Sequence, residues 1–81
     1  MIVLIFDRAI MKDTRLVAFG KRVRELRKQK GLSQEALADL AGLDRSYMGH
    51  IERGNQNISL TKIYQLAEAL DISVSNLFGD P

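Results

Sequence analysis

Ser33-Gln-Glu-Ala-Leu-Ala-Asp-Leu-Ala-Gly-Leu-Asp-Arg-Ser-Tyr-Met-Gly-His-Ile-Glu-Arg-Gly54 reads as two short helices joined by a tight turn. Leu37, Ala38 and Ala41 fall at i, i+1 and i+4, one face of a helix that starts at Ser33. Gly42 follows where the chain must turn with φ > 0, Leu43 plugs the turn, and Asp44 is a good N-cap for a second helix. Met48 and Ile51 give that helix an inward stripe, and Gly54 ends it. Ala38 stands where the two helices approach most closely, so the side chain there has to be small. Two helices crossing steeply are a common way to set one of them into the DNA major groove.

Outward from this pair the pattern stays helical. Leu16, Phe19, Val23 and Leu26 recur at spacings of three and four, predicting a helix from about Asp13 to Lys30 that Gly31 stops, with Lys28 and Lys30 in its last turn. The motif helices are predicted at about Ser33–Ala41 and Arg45–Arg53. Gly54 to Ile58 reads as polar loop with Ile58 tucked inward. A fourth helix starts behind Ser59 and presents Leu60, Ile63, Leu66, Ala67 and Leu70 inward. Ser73 caps a last short helix that Gly79 closes. The expected fold is all-α, a compact five-helix cluster over residues 13–81 with its motif at about 33–54. No strand is expected outside the first six residues.

Residues 1–12 form an N-terminal extension. Its start, Met1-Ile-Val-Leu-Ile-Phe6, is far too short to span a bilayer and lacks the basic flank of a signal peptide. Two readings stand for it: a strand that pairs with its own copy, or a translated leader upstream of a start at Met11.

With 81 residues the chain has room for one small domain, which dimerisation would help to stabilise. The absence of cysteine removes disulfides and thiolate chemistry and fits a reducing cytoplasm. Residues 1–30 carry nine Lys/Arg against three acids, and residues 31–81 three against seven. A basic half suggests an anionic partner; the same charges also serve simply to solvate the outer face of the first helix. Lys21, Arg22, Arg24, Arg27, Lys28 and Lys30 lie on that helix, behind the motif, where most of them only raise the long-range field.

These strings together resemble the lambda-repressor-like (XRE) helix-turn-helix family. The resemblance runs from about Arg15 to Phe78 and is carried by Arg24-Glu-Leu-Arg27, Gly31-Leu-Ser-Gln34-Glu, Leu37-Ala38, Gly42-Leu, Ile51-Glu-Arg-Gly54 and Leu66-Ala-Glu-Ala-Leu70. Within the family, Leu43-Asp-Arg-Ser-Tyr47 followed by Ile51-Glu-Arg-Gly54 is similar to the controller proteins of restriction–modification systems. The resemblance implies a transcriptional regulator of a bacterial or phage cell, cytoplasmic and nucleoid-associated, that binds double-stranded DNA as a homodimer and regulates its own operon. An antitoxin, binding a protein partner as well as its promoter, is the alternative.

On a helical wheel with Met48 and Ile51 inward, the opposite face collects Ser46, Gly49, His50 and Arg53, with Arg45 and Tyr47 at its edges. Arg45 is the leading base reader, because its fork bonds guanine O6 and N7 together, worth about 1–3 kcal/mol of discrimination. Its bland role would be a solvated cation or a partner to Asp44. Ser46 reads bases weakly, and the resemblance implies base contacts at positions 45, 46 and 50. His50 is the only histidine; no metal site or catalytic group is expected around it, which leaves a base or phosphate contact or a solvated ring. Tyr47 either lays its ring on thymine methyls or bonds a phosphate, or packs against the preceding helix. Gly49 is expected to let the backbone approach the groove.

Phosphate contacts are expected from Gln34, at a helix start where free N–H groups attract an anion, and from Arg53, Gln56, Asn57 and Lys62. The resemblance also implies an ion pair between Arg27 and Glu52 that locks the first helix against the recognition helix. Pairing of subunits is expected through Ile72, Val74, Asn76, Leu77 and Phe78, part core and part exposed. No cofactor, metal, membrane or small-molecule ligand is expected, nor an enzymatic activity. Regulation would come from protein concentration through dimerisation and occupancy of adjacent sites.

Overall fold

The computed structural model describes residues 13–79. The Met1–Phe6 run, in either of its readings, lies outside them. Five α-helices follow one another: α1 Thr14–Gln29, α2 Gln34–Ala41, α3 Arg45–Glu52, α4 Leu60–Ala69 and α5 Val74–Leu77. Among the described residues there is no strand, and no helix is long and apolar enough to cross a membrane.

Each helix begins where a short polar side chain caps it. Ser33 Oγ accepts from the Ala36 N–H at 3.0 Å, and Asp44 Oδ2 from the Ser46 N–H at 3.0 Å. Asp13, Ser59 and Ser73 cap α1, α4 and α5 in the same way, offering an acceptor to N–H groups the helix cannot pair. The α2–α3 turn closes through Gly42, with φ of 70°, and a bond from the Leu43 N–H to the Ala38 carbonyl at 2.8 Å. That pattern of a left-handed glycine followed by an apolar residue folding back is what sets α3 at an angle to α2.

The core is built from the predicted stripes. Leu37, Met48, Leu66, Leu70, Leu77 and Val23 are fully buried, with Phe19, Leu26, Ala38, Ala41, Ile51 and Ala67 around them. Leu43, Tyr47 and Ile58 pack against this cluster from the side. Two expected core positions depart from the pattern. Leu60 is 66% exposed, because as the first residue of α4 it precedes the turn that meets the core. Leu16 is only half-buried and is not among the side chains packed on the core.

α1 lies across α3, and that crossing is unusually close. A Cβ on Gly20 would lie 2.3 Å from the Ile51 carbonyl oxygen and 2.7 Å from that of Glu52. Gly54, with φ of 75°, sits against Val17 in the same seam, where an added Cβ would come within 2.8 Å of the Val17 Cα. The last turn of α3 therefore rests directly on the backbone of α1.

Candidate nucleic-acid interface

The same seam holds a buried polar group. Arg27 donates to Glu52 twice, from Nε to Oε2 at 2.6 Å and from Nη2 to Oε1 at 3.0 Å, while its Nη1 donates to the Leu32 carbonyl at 2.9 Å. Both residues are 9% exposed. The bond to Glu52 pushes the Arg27 guanidinium above its ordinary value, against the opposing effect of burial. Glu52 also accepts from Gln34 Nε2 at 3.0 Å. The first residue of α2 is thus tied to the last residue of α3, a connection that the sequence analysis did not foresee. One amide donor of Gln34 is engaged there, and the side chain remains half-exposed at the protein surface.

Gln34, Arg45, Ser46, Gly49 and Arg53 line one shallow depression of about 290 Å³. It joins the start of α2 to the outward face of α3. Arg45 and Ser46 are exposed in the first turn of α3, where a recognition helix meets base edges. Among the described residues the Arg45 guanidinium forms no ion pair with Asp44. Asp44 is instead held below the usual carboxylate range by hydrogen bonding from the Ser46 side chain and backbone.

His50 and Arg53 continue the same face and touch each other, Arg53 Nη2 to His50 Nδ1 at 3.1 Å. Gly49 on this face is buried, with the Arg53 guanidinium folded back across it. Tyr47 is half-buried against the core, with the Lys62 ammonium 5.5 Å from its ring centroid. This packing draws the expected phosphate contact Lys62 up to the edge of α3. Gln56 is half-exposed and Asn57 exposed, both in the loop that leaves α3.

The pairing surface needs one correction. Leu77 has 0% exposure and belongs to the monomer core, so it has no area to offer a second subunit. α5 is a single turn, and Leu77 is its one fully buried residue. Ile72 and Val74 are partly buried against that core, Asn76 is exposed, and Phe78 is exposed while lying 5.1 Å from the Phe19 ring. Tyr64 on α4 is a further exposed aromatic that the sequence pattern did not single out. Arg22 fastens α5 to α1 by donating from Nη2 to the Asn76 carbonyl at 2.9 Å.

The helix-turn-helix family model HTH_3 matches residues 23–77. The control protein C.MunI of a Mycoplasma species is 42% identical over 65 residues, covering 79% of this chain and 88% of that protein. An immunity repressor protein of Bacillus phage phi105 is 43% identical over 61 residues, covering 75% of this chain and 42% of the longer repressor. The crystal structure of the restriction-modification controller protein C.AhdI from Aeromonas hydrophila superposes with a TM-score of 0.79 at 60% identity, covering 80% of this chain and 98% of that one.

Proposed function

This chain belongs to the HTH_3 helix-turn-helix family, and from that premise we propose that it is a sequence-specific transcription regulator that binds a pseudo-palindromic operator as a homodimer. In this reading α3 enters the major groove. Arg45, Ser46, Tyr47 and His50 face base edges, and Gln34, Arg53, Gln56, Asn57 and Lys62 face the phosphates. The regulator acts in the cytoplasm of a bacterial or phage-infected cell, on the nucleoid, and controls its own operon as a restriction–modification controller does.

The observation that carries this reading is the convergence of Gln34 with Arg45, Ser46 and Arg53 on one surface. A helix start that attracts phosphate stands beside side chains able to read base edges, so one DNA strand can satisfy both at once. One α3 reads too few base pairs to choose a site in a genome. Two half-sites about one DNA turn (~34 Å) apart multiply the discrimination.

Selection of bound duplexes from a random pool tests the proposal. The expected outcome is a pair of inverted half-sites whose centres lie about one turn apart. Recovery of unrelated sequences, or of single half-sites only, would count against it.

A further inference from the structure

One hydrogen bond on the outward face of α3 constrains the chemistry of a reader. Arg53 Nη2 lies 3.1 Å from His50 Nδ1. A guanidinium has donors only and stays charged, so Nδ1 must be the nitrogen that accepts. The proton of the neutral ring then sits on Nε2. Arg53 reaches this position because Gly49 carries no side chain. A Cβ there would stand 3.1 Å from Nη1 and 3.7 Å from Nη2 of the guanidinium. Arg53 stands at i+4 from Gly49 and at i+3 from His50, the two spacings that make neighbours on a helix surface, so its side chain lies over Gly49 and reaches His50.

We infer that these three residues form one reading unit, in which Arg53 is a positioning residue that fixes His50 as a hydrogen-bond donor to the groove. The inference rests on the DNA-binding reading above. An unconstrained imidazole presents either a donor or an acceptor and so tolerates many base edges. With Nδ1 occupied, His50 presents the Nε2 N–H alone. Its targets are the major-groove acceptors, namely purine N7, guanine O6 and thymine O4, and the amino groups of cytosine and adenine are excluded. Arg45 is also donor-only, so the stretch read by α3 is one rich in acceptors, which guanine supplies in pairs.

Two measurements test this. His50 is the only histidine in the chain, so its ring nitrogens are assigned without ambiguity. Long-range 1H–15N correlation spectra of the free protein at alkaline pH are expected to show the Nε2–H form alone. Arg53→Met should shift the ring towards a mixture with the Nδ1–H form; identical spectra would overturn the lock. On the selected operator, base analogues that each lack one major-groove acceptor are then compared between wild type and His50→Ala. One such deletion should weaken wild-type binding about tenfold and have no further effect in His50→Ala. Coupling of His50 to a deleted amino donor, or to no deleted acceptor, would overturn this inference alone. A pool from which no operator emerges would overturn the DNA-binding reading itself, and the spectra would still decide the lock.

Discussion

Arg27 on α1 and Glu52 on α3 meet in a forked ion pair, 2.6 Å at its shorter arm, inside the seam where α1 supports the recognition helix. Removing one partner leaves the other charged and buried. Arg27→Met is therefore expected to cost about 3–5 kcal/mol, read as a lowered urea midpoint. The double variant Arg27→Met/Glu52→Leu should recover part of that loss, because it leaves no orphaned charge. A single variant as stable as wild type would show that the seam does not depend on the pair.

Gly20 gives a sharper test of the same seam. Alanine there would gain up to about 1 kcal/mol in an isolated helix. In the folded chain its Cβ would meet the Ile51 carbonyl oxygen at 2.3 Å, and backbone is not free to swing aside. Gly20→Ala should therefore lower the stability by about 1–3 kcal/mol. Gly49→Ala, which meets only the end of the flexible Arg53 side chain, should leave it nearly unchanged. Equal midpoints for Gly20→Ala and wild type would rule out the close crossing.

Arg45→Ala should reduce operator affinity and flatten the preference for one guanine in each half-site, a loss of about 1–3 kcal/mol. Fluorescence anisotropy on the selected site and on a copy with that base pair exchanged measures both effects. A variant that loses affinity equally on the two duplexes would place Arg45 on phosphate instead.

Dimerisation can be read directly. Sedimentation at micromolar concentration should give a species of twice the 9.1 kDa monomer mass. Asn76→Asp, on the exposed surface of α5, should shift the equilibrium towards monomer without unfolding the chain. A lone monomer peak for the wild type would remove the basis for a two-half-site operator.

The capping carboxylates set an acid dependence. At Asp13, hydrogen bonds from the Arg15 side chain and backbone draw the carboxyl from 3.8 to about 2, and Asp44 is shifted in the same direction. Both folded values lie below the unfolded ones. Their contribution is therefore complete above the unfolded value and fades as the pH falls from about 4 towards about 2. Asn also caps, so Asp13→Asn/Asp44→Asn keeps the capping bonds to the backbone N–H groups and discards the charge, together with the second oxygen that takes Arg15 Nη2 at position 13. Acid titration by circular dichroism should show a shallower loss in that variant over this interval; parallel curves would contradict the assignment.

The helix starts and the α2–α3 turn were legible from sequence because their causes are local. A cap acts over two or three residues, and Gly42 needs only its own φ. The wheel built on Met48 and Ile51 likewise brought the outward residues of α3 onto one face. What escaped was set by distant partners. The Gln34–Glu52 bond spans 18 positions and the Gln65 bond to the Ala41 carbonyl spans 24. Gly20 gave one faint signal, a glycine in mid-helix where alanine would be better, and such a position often marks a close approach. Asp71, at φ of 57°, ends α4 in a conformation usually left to glycine or asparagine, so composition pointed elsewhere. Leu60 and Leu77 show the limit of periodicity: it identifies an apolar side chain but not whether a neighbour covers it.

On α3 and its C-cap the side chains that hold the fold and those that face outward interleave within nine residues and yet stay separate. Met48 and Ile51 lie wholly inside, while Arg45, Ser46, His50 and Arg53 carry no part of the hydrophobic core. The outward set can therefore be exchanged as a block with little penalty in folding stability. A duplicated copy of this chain could drift to a new operator through a few neutral-to-stability steps. The scaffold would be inherited intact while its address changed, and the same separation makes these positions a natural library for retargeting.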